Sequence, residues 1–315
     1  MASNGLSELL LALERELDPV APAANRFGVE IVDYGEVSAL IALAELPGRV
    51  LKRMSGFAEG ETAAAYASAV ERYIALLEAD GVPVVPTEVV SVAPAPDRHV
   101  VYLVQTRVPA GRLGQGILRR GTDDELCTLI GQVLEHVLRV LGRNGGRADG
   151  RSIAIDAQLS NWYWPETAGA RPTLLDVGTP FMLLDGRLEI GTDLFLRAYL
   201  APLRWWLRRE RAVERYIDDY FHLDLVVLDM LGNFFKEGAA QRLPAALRFV
   251  NEWIHGPAGA VSIGRAIDAD AVRAYYAKDA STLETSLRAR RFTRLVTTTV
   301  LRRRYDFILP GRIRR

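Results

Sequence analysis

The hydrophobic pattern at the start of the chain changes from helical spacing to strand-like alternation. Apolar residues recur at helical spacing over residues 6–17 and predict a short helix, which a linker containing Pro19 and Pro22 ends. From Arg26 onward, apolar and polar positions alternate between groups of turn residues. Three strands joined by tight turns imply an antiparallel meander. In chain order the predicted strands and turns are Phe27–Val32, Asp33–Glu36, Val37–Leu46, Pro47-Gly48 and Arg49–Met54.

One helix and two more strands complete this first region. Residues Glu59–Ala79 are rich in Ala, Glu and Leu, and Gly81 followed by Pro83 ends the predicted helix. Strands follow at Val84–Val92 and His99–Val108. One face of the predicted helix is apolar and carries Tyr66, Val70, Tyr73, Ile74 and Leu77.

The remainder of the chain is mainly helical in its pattern. Thr122 is the predicted N-cap of a long amphipathic helix, and two short apolar strands at residues 153–155 and 173–175 follow. The order of elements predicts an α+β fold with an N-terminal helix and linker (1–25), a small β-rich lobe carrying one helix (26–108) and a larger helical lobe (109–315). The predicted helices of the larger lobe are Asp123–Leu141, Phe195–Arg209, Ala212–Phe235 and Leu243–Ile254.

Composition narrows the function classes. The formal net charge is zero and the isoelectric point is near 6.9, so nothing global favours a nucleic-acid or membrane-surface protein. The single cysteine, Cys127, excludes an intramolecular disulfide framework. No secretion signal is recognisable, and no apolar run reaches the roughly 20 residues that span a bilayer. We therefore expect a cytoplasmic protein without a membrane partner.

Lysine is scarce among the basic residues. Lys52, Lys236 and Lys278 are the only lysines, although lysine and arginine together number 39. For Lys236 and Lys278 the simplest interpretation is chance. Lys52 differs because it lies in the third predicted strand, where a buried ammonium group needs a carboxylate partner.

Two loops carry the residues that favour phosphoryl-transfer chemistry. Asp156 and Asn161 follow the first short strand of the larger lobe, and Asp176 in an Asp-Val-Gly sequence follows the second. Phosphoryl transfer needs cations on the phosphates, oxygen ligands for Mg²⁺ and a carboxylate that orients the attacking hydroxyl. The structural alternative for Asp156 and Asn161 is a helix N-cap with a loop amide that satisfies local backbone groups.

Together these residues resemble the motifs of the protein-kinase-like superfamily, and in particular of small-molecule kinases such as aminoglycoside phosphotransferases and choline kinases. Asp156 and Asn161 match the spacing of the catalytic loop, Asp176-Val-Gly178 matches the Asp-Phe-Gly segment, and Lys52 matches the lysine of the third strand. The resemblance covers roughly residues 26 to 200 and implies a bilobal fold.

The resemblance also implies roles for these residues. Asp156 would orient the acceptor hydroxyl, Asn161 and Asp176 would hold Mg²⁺, and Lys52 would bind the phosphates of ATP or GTP. Glu71 on the predicted helix is the best candidate for the partner of Lys52, with Glu59, Glu61 and Glu78 as competitors. In the phosphate-covering loop, Gly35 and Ser38 are the residues that remain of the usual glycine-rich pattern. The implied activity is transfer of the γ-phosphate to a hydroxyl of a small molecule.

Two departures from the family pattern leave alternatives open. Ala154 stands where the catalytic loop usually has histidine, and the glycine-rich loop is incomplete. A catalytically inactive, nucleotide-binding pseudokinase and a nucleotidyl transferase on the same fold are therefore competing hypotheses. No activation segment of the protein-kinase type is recognisable, which argues against folded protein substrates.

Three further features have open interpretations. The residues around Asp193 resemble the buried aspartate that braces the catalytic loop of the family. The pairs Trp162 with Trp164 and Trp205 with Trp206 either pack in the core or line a substrate pocket. The arginine-rich stretch 288–315 is either a solvated helical face or a binding surface for something anionic.

Overall fold

A five-stranded antiparallel sheet forms the N-terminal part of the protein in the computed structural model, which describes residues 3–35, 37–256 and 266–311. The strand order is β1-β2-β3-β5-β4, and α2 connects β3 to β4. The predicted meander is confirmed, although its first strand lies a few residues later than expected, and Glu36 of the predicted turn lies outside the described residues. The elements are α1 Ser3–Glu16, β1 Glu30–Tyr34, β2 Ser38–Ala42, β3 Arg49–Phe57, α2 Gly60–Ala79, β4 Thr87–Ala95 and β5 Arg98–Thr106.

Both faces of this sheet are buried. Helix α1 covers the outer face together with Ile308 from the end of the chain, and α2 with the helical region covers the inner face. Successive side chains of a strand point to opposite faces. On the central strand β3, Leu51 and Arg53 therefore point toward α1, whereas Lys52 and Met54 point toward the helical region.

The C-terminal part is mainly helical, as predicted, so the α+β fold with a β-rich and a helical region is confirmed. Thr122 caps α4 through a capping box with Glu125, as the sequence predicts. Within the described ranges, no helix combines the length and apolar character needed to cross a bilayer. The helices are α3 Gly114–Arg120, α4 Asp123–Arg143, α5 Asp193–Leu196, α6 Ala201–Arg209, α7 Ala212–Asp218, α8 Leu223–Lys236, α9 Leu243–His255 and α10 Ala269–Leu295, and the strands are β6 Arg151–Ile153, β7 Trp162–Tyr163, β8 Thr173–Leu174, β9 Met182–Leu184 and β10 Arg187–Leu188.

Two predicted helices are each interrupted. The helix predicted over Phe195–Arg209 is split because Pro202 opens α6 and the residues before it cannot continue α5 as a regular helix. The helix predicted over Ala212–Phe235 is split at His222, whose backbone is extended. Tyr220 beside this break packs its ring 4.2 Å from that of Phe181, so tertiary packing overrides the local helical pattern.

Of the two interpretations of the stretch 288–315, a solvated helical face does not hold for the described residues after Val300. Helix α10 ends at Leu295, and residues 301–311 return along the sheet in an irregular path. The carbonyl of Asp306 accepts hydrogen bonds from Arg53 (2.7 Å) and Ser55 (3.1 Å) of β3. The segment is anchored because it contains an apolar run whose side chains are buried, namely Tyr305, Phe307, Ile308 and Leu309.

Candidate functional site

Lys52 and Asp176, which are 124 positions apart in sequence, form an ion pair between the sheet and the helical region. Lys52 Nζ lies 2.5 Å from Asp176 Oδ1 and 2.6 Å from Oδ2, and the two side chains are 18% and 36% exposed. Asp176 follows β8, and its Oδ1 also accepts the backbone N–H of Gly178 at 2.9 Å. This turn fixes the carboxylate opposite the strand that carries the lysine.

Gly178 leaves room for the Lys52 side chain. A Cβ atom at Gly178 would lie 2.9 Å from Cδ, Cε and Nζ of Lys52, so only glycine fits at this position without displacing the ammonium group. Gly35 is also near this lysine: a Cβ atom there would clash with Ser38 Oγ and would lie in ordinary contact with Lys52 Cε, at 3.9 Å. The structure thus brings Gly35 and Ser38, the predicted remnant of a phosphate-covering loop, next to Lys52.

Asp156 and Asn161 lie in one tight loop after β6. Asp156 Oδ1 accepts the backbone N–H of Gln158 at 2.8 Å, and the Asn161 side chain is hydrogen-bonded to the Asp156 carboxylate. The Asn161 carbonyl accepts the N–H of Leu175 at 2.8 Å, which joins this loop to the residue before Asp176. Asp156, Asn161 and Asp176 are therefore neighbours, as their spacing predicts.

Helix α2 contacts both loops through tyrosine hydroxyls. Tyr66 Oη donates to the carbonyl of Gly178 and Tyr73 Oη donates to the carbonyl of Ala154, each at 2.7 Å. Burial raises the pKa of both phenols well above the usual value, and the neighbouring aspartates raise it further, so both hydroxyls stay neutral donors. The sequence pattern located the apolar face of this helix but not these contacts.

The predicted pairing of Glu71 with Lys52 is wrong for this structure. Glu71 is an exposed side chain, and the carboxylate that contacts Lys52 is that of Asp176. The reason is the helical repeat. The face of α2 that packs inward is occupied by Tyr66, Val70 and Tyr73, and a residue next to Val70 is rotated about 100° away from that face. The competing Glu59, Glu61 and Glu78 are exposed as well.

Sequence reasoning missed a second group of residues beside Asp156. Gln158 Nε2 donates to Asp229 Oδ2 at 2.9 Å, and Lys236 Nζ donates to Gln158 Oε1 at 3.1 Å. Asp229 and Lys236 both lie on α8, seven residues apart on one face. The scarcity of lysine is the sequence signal that could have located this group, because two of the three lysines, Lys52 and Lys236, contact the site. Sequence analysis favours chance for Lys236, which is wrong for this structure.

Burial and like charges perturb the carboxylates of the site. Burial, helped by the charge of Asp176, raises the pKa of Asp156 to about 6. Burial, helped by the charge of Asp156, raises the pKa of Asp229 to about 8. Burial also favours the neutral form of Asp176, but the charge and hydrogen bonds of Lys52 outweigh it and hold the pKa of that carboxyl below its usual range. Asp156 and Asp229 therefore titrate as a pair that holds a proton more readily than free carboxyls do, whereas Asp176 stays ionised at neutral pH.

The oxygen donors of the site suit Mg²⁺. The carboxylate of Asp176 and the amide of Asn161 provide two hard ligands on adjacent loops, and Mg²⁺ commonly takes its remaining ligands from phosphate and water. Both carboxylate oxygens of Asp176 are hydrogen-bonded to Lys52. A metal ion at Asp176 would therefore require the lysine to shift toward another anion.

A small cavity lies beside Gln158, between α8 and α10. Its volume of about 10 Å³ is near the minimum for one water molecule. The cavity is therefore too small for an organic molecule in this structure. The cavity is lined by polar and aromatic residues that include Gln158, Asp229, Asn233, Lys236, Tyr275 and Asp279.

Two other predicted residues have structural surroundings that differ from the expectation. Asp193 is half exposed and pairs with Arg208, so it does not brace the loop of Asp156 and Asn161. Trp162 is fully buried and stacks on His136 at 5.6 Å, so it belongs to the core and not to a pocket wall. Trp164 contacts the Arg112 guanidinium, and its indole N–H donates to the Ala170 carbonyl.

Fold and site together define an α+β protein in which a lysine of the N-terminal sheet pairs with the carboxylate of Asp176, beside the loop of Asp156 and Asn161 in the helical region. Comparison with known proteins adds the family. The chain belongs to a family of unknown function, DUF6206, whose sequence profile matches residues 41–294. The matched range includes Lys52, Asp156, Asn161 and Asp176, whereas Gly35 and Ser38 precede it. No curated protein matches the chain.

Proposed function

We propose that this protein is a Mg²⁺-dependent phosphotransferase that binds ATP or GTP between the sheet and the helical region and transfers the γ-phosphoryl group to a hydroxyl of a small molecule. The observation that carries the proposal is the ion pair of Lys52 with Asp176, beside the loop of Asp156 and Asn161. Phosphoryl transfer is catalysed mainly by positioning and charge neutralisation, and these four side chains have the required chemistry.

Each side chain has a role in this proposal. Lys52 exchanges its carboxylate partner for the phosphates of the nucleotide. Asp176 and Asn161 hold Mg²⁺, which would neutralise charge on the phosphate oxygens. Asp156, with a pKa raised to about 6 by burial, is mostly ionised at neutral pH and accepts the hydrogen bond of the acceptor hydroxyl. The cavity between α8 and α10 opens to admit the acceptor, and the protein acts in the cytoplasm.

Nucleotide binding is tested first, by thermal denaturation with ATP or GTP, with and without Mg²⁺. A nucleotide present at a hundred times its dissociation constant stabilises the folded state by about 2.7 kcal/mol, which raises Tm by about 5 °C for a protein of this size. Lys52→Met removes the phosphate-binding cation and is expected to abolish the shift. Lys278→Met is the matched control, because Lys278 is an exposed lysine of α10.

Turnover is tested separately, by ADP or GDP formation in the presence of a set of small hydroxyl compounds. Asp156→Asn is expected to retain the Mg²⁺- and nucleotide-dependent Tm shift but to lose product formation. The proposal fails if the wild-type protein gives no shift with either nucleotide, or if Lys52→Met retains the full shift. Mass analysis of the modified acceptor distinguishes phosphoryl transfer from nucleotidyl transfer.

The second candidate is a pseudokinase that binds the nucleotide without turnover. Two observations favour it: no helix glutamate contacts Lys52 in the described residues, and the position of the usual histidine is Ala154. The hydrogen bond from Tyr73 to the Ala154 carbonyl favours the enzyme instead, because it fixes the loop without that histidine. A nucleotide-dependent Tm shift without product from any acceptor would support the pseudokinase.

A further inference from the structure

Most of the large apolar side chains that are exposed in the described residues belong to two segments. Trp205 and Trp206 of α6 are 62% and 52% exposed, and Val300 after α10 is 72% exposed. Isolated exposed apolar residues are ordinary, but a concentration of large ones marks a binding surface. The exposed residues of the two segments are Trp205, Trp206, Phe292, Leu295, Val300 and Leu301.

The two segments meet in the fold. Leu200, the residue before α6, donates its N–H to Thr293 Oγ1 in the last turn of α10 at 3.3 Å. The hydroxyls of Tyr199 and Ser286 are 2.6 Å apart, and Ser286 lies about two turns before Thr293 on α10. Helix α6 therefore starts at the end of α10 that carries Phe292 and Leu295. We call residues 201–209 together with 288–303 the aromatic-arginine surface.

The same surface has a strong positive charge, although the whole chain is neutral. Neither residues 201–209 nor residues 288–303 contain Asp or Glu. Some of its arginines are paired within the fold, such as Arg208 with Asp193. Among the described residues, no carboxylate lies within ion-pair distance of Arg302 or Arg303, and both are exposed. The arginines of these two segments that are at least partly exposed are Arg204, Arg208, Arg209, Arg288, Arg291, Arg294, Arg302 and Arg303, whereas Arg290 is buried against Phe307.

We propose that the aromatic-arginine surface docks on an anionic lipid membrane, with the arginines against lipid phosphates and the tryptophans in the headgroup region. Tryptophan prefers the membrane interface because its ring is apolar while its N–H is polar. Arginine binds phosphate with a planar set of donors, and exposed aliphatic side chains such as Leu301 enter the acyl boundary. Membrane docking was not expected from the neutral overall charge, which conceals the local concentration of arginine.

The chemistry of the surface disfavours two other occupants. A symmetric dimer through this surface would place the same patch on both sides and bring arginines against arginines. A nucleic acid offers phosphates for the arginines but no apolar phase for Leu295, Val300 and Leu301. An anionic membrane offers phosphates to the arginines and an apolar phase to the exposed aliphatic side chains.

The test uses the full chain and vesicles of phosphatidylcholine, with or without phosphatidylserine. The wild-type protein is expected to cosediment with the phosphatidylserine vesicles, less so at high salt, and to show a blue shift of tryptophan emission. The double change Arg302→Gln with Arg303→Gln is expected to weaken binding about thirtyfold, since each arginine near the membrane contributes about fivefold. Trp205→Ser with Trp206→Ser is expected to weaken it about tenfold.

Matched controls separate docking from general charge effects. Arg120→Gln with Arg187→Gln removes two exposed arginines of α3 and β10, outside this surface, and should leave vesicle binding unchanged. The proposal is overturned if the wild-type protein does not cosediment with phosphatidylserine vesicles at low salt. It is also overturned if the two control substitutions weaken vesicle binding as much as the substitutions at Arg302 and Arg303. Sedimentation velocity completes the test. Self-association that depends on Trp205 and Trp206, without vesicle binding, would assign the surface to a second copy and overturn membrane docking.

Discussion

The buried ion pair between Glu14 and Arg53 allows a quantitative prediction about stability. The carboxylate of Glu14 on α1 accepts hydrogen bonds from Arg53 Nε at 2.6 Å and Nη2 at 2.9 Å, and the two side chains are 0% and 1% exposed. Tyr102 Oη donates to the same carboxylate at 2.5 Å. The group joins α1, β3 and β5, and Arg53 extends it to the C-terminal segment through the Asp306 carbonyl.

Glu14→Gln keeps the shape of the side chain but leaves the Arg53 charge buried without a counter-charge. Breaking a buried pair in this way costs about 3–5 kcal/mol. At about 2 °C per kcal/mol, the expected decrease in Tm is about 6–10 °C. Glu16→Gln on the same helix is the matched control. Its ion pair with Arg26 is exposed on both sides, and such pairs contribute about 1 kcal/mol or less.

The pH dependence provides a second measure of the same pair. Burial favours the neutral form of Glu14, but the charge and hydrogen bonds of Arg53 outweigh it, so the pKa of Glu14 is lowered in the folded state. The carboxylate therefore stabilises the fold above its unfolded pKa of about 4.3, and this contribution is lost as the pH falls through the lower folded value. The stability difference between wild type and Glu14→Gln is expected to shrink below about pH 4.

Denaturant unfolding should be followed by two probes. All five tryptophans lie in the helical region, so their emission reports that region, whereas far-UV circular dichroism reports the whole chain. If Glu14→Gln releases the sheet region first, the dichroism transition moves to lower denaturant while the emission transition stays in place. A stability change no larger than that of Glu16→Gln, by both probes, would refute the reasoning.

Three further predictions concern the candidate site. Tyr73→Phe leaves a buried carbonyl without its donor and should lower the free energy of unfolding by about 1–3 kcal/mol in urea titrations. Gly178→Ala places a methyl group against Lys52 and should abolish the nucleotide-dependent Tm shift, whereas Gly191→Ala, where a Cβ atom meets nothing within 4 Å, should retain it. Because burial raises the folded pKa of Asp229 to about 8, the folded state holds a proton that the unfolded state releases, and stability falls as the pH rises toward 8. In Asp229→Asn, Tm should decrease less between pH 6 and pH 8 than in the wild type.

Local sequence patterns predicted the elements whose structure depends on local physics. Alternation and turn residues located the meander of the sheet, and Thr122 as an N-cap located the start of α4. Asp156 and Asp176 are expected after short apolar strands, and the structure has them shortly after β6 and β8. These inferences required only periodicities and capping rules.

Contacts between distant segments were beyond such patterns. Whether a residue of α2 faces Lys52 depends on how the helix is rotated against the sheet. The sequence pattern favours a glutamate of α2 as the partner of Lys52, but α2 contacts the site through tyrosines that donate to loop carbonyls. The break at His222 and the return of residues 301–311 to the sheet depend on packing partners far away in sequence. Lys236 reaches the site through α8, for which sequence spacing offers no rule.

Neighbouring cations on β3 illustrate how one strand serves both stability and the site. Because side chains alternate across a sheet, Lys52 and Arg53 point to opposite faces and meet different carboxylates, Asp176 and Glu14. The Arg53 pair is almost inaccessible to solvent, so exchange of its partner would leave a buried charge unpaired. The Lys52 pair is partly exposed, so water or a phosphate can replace the carboxylate at a much lower cost. A one-residue shift in the register of β3 would turn each of the two cations to the opposite face of the sheet. The packing of α1 on the outer face opposes such a shift and therefore also holds the lysine in the candidate site.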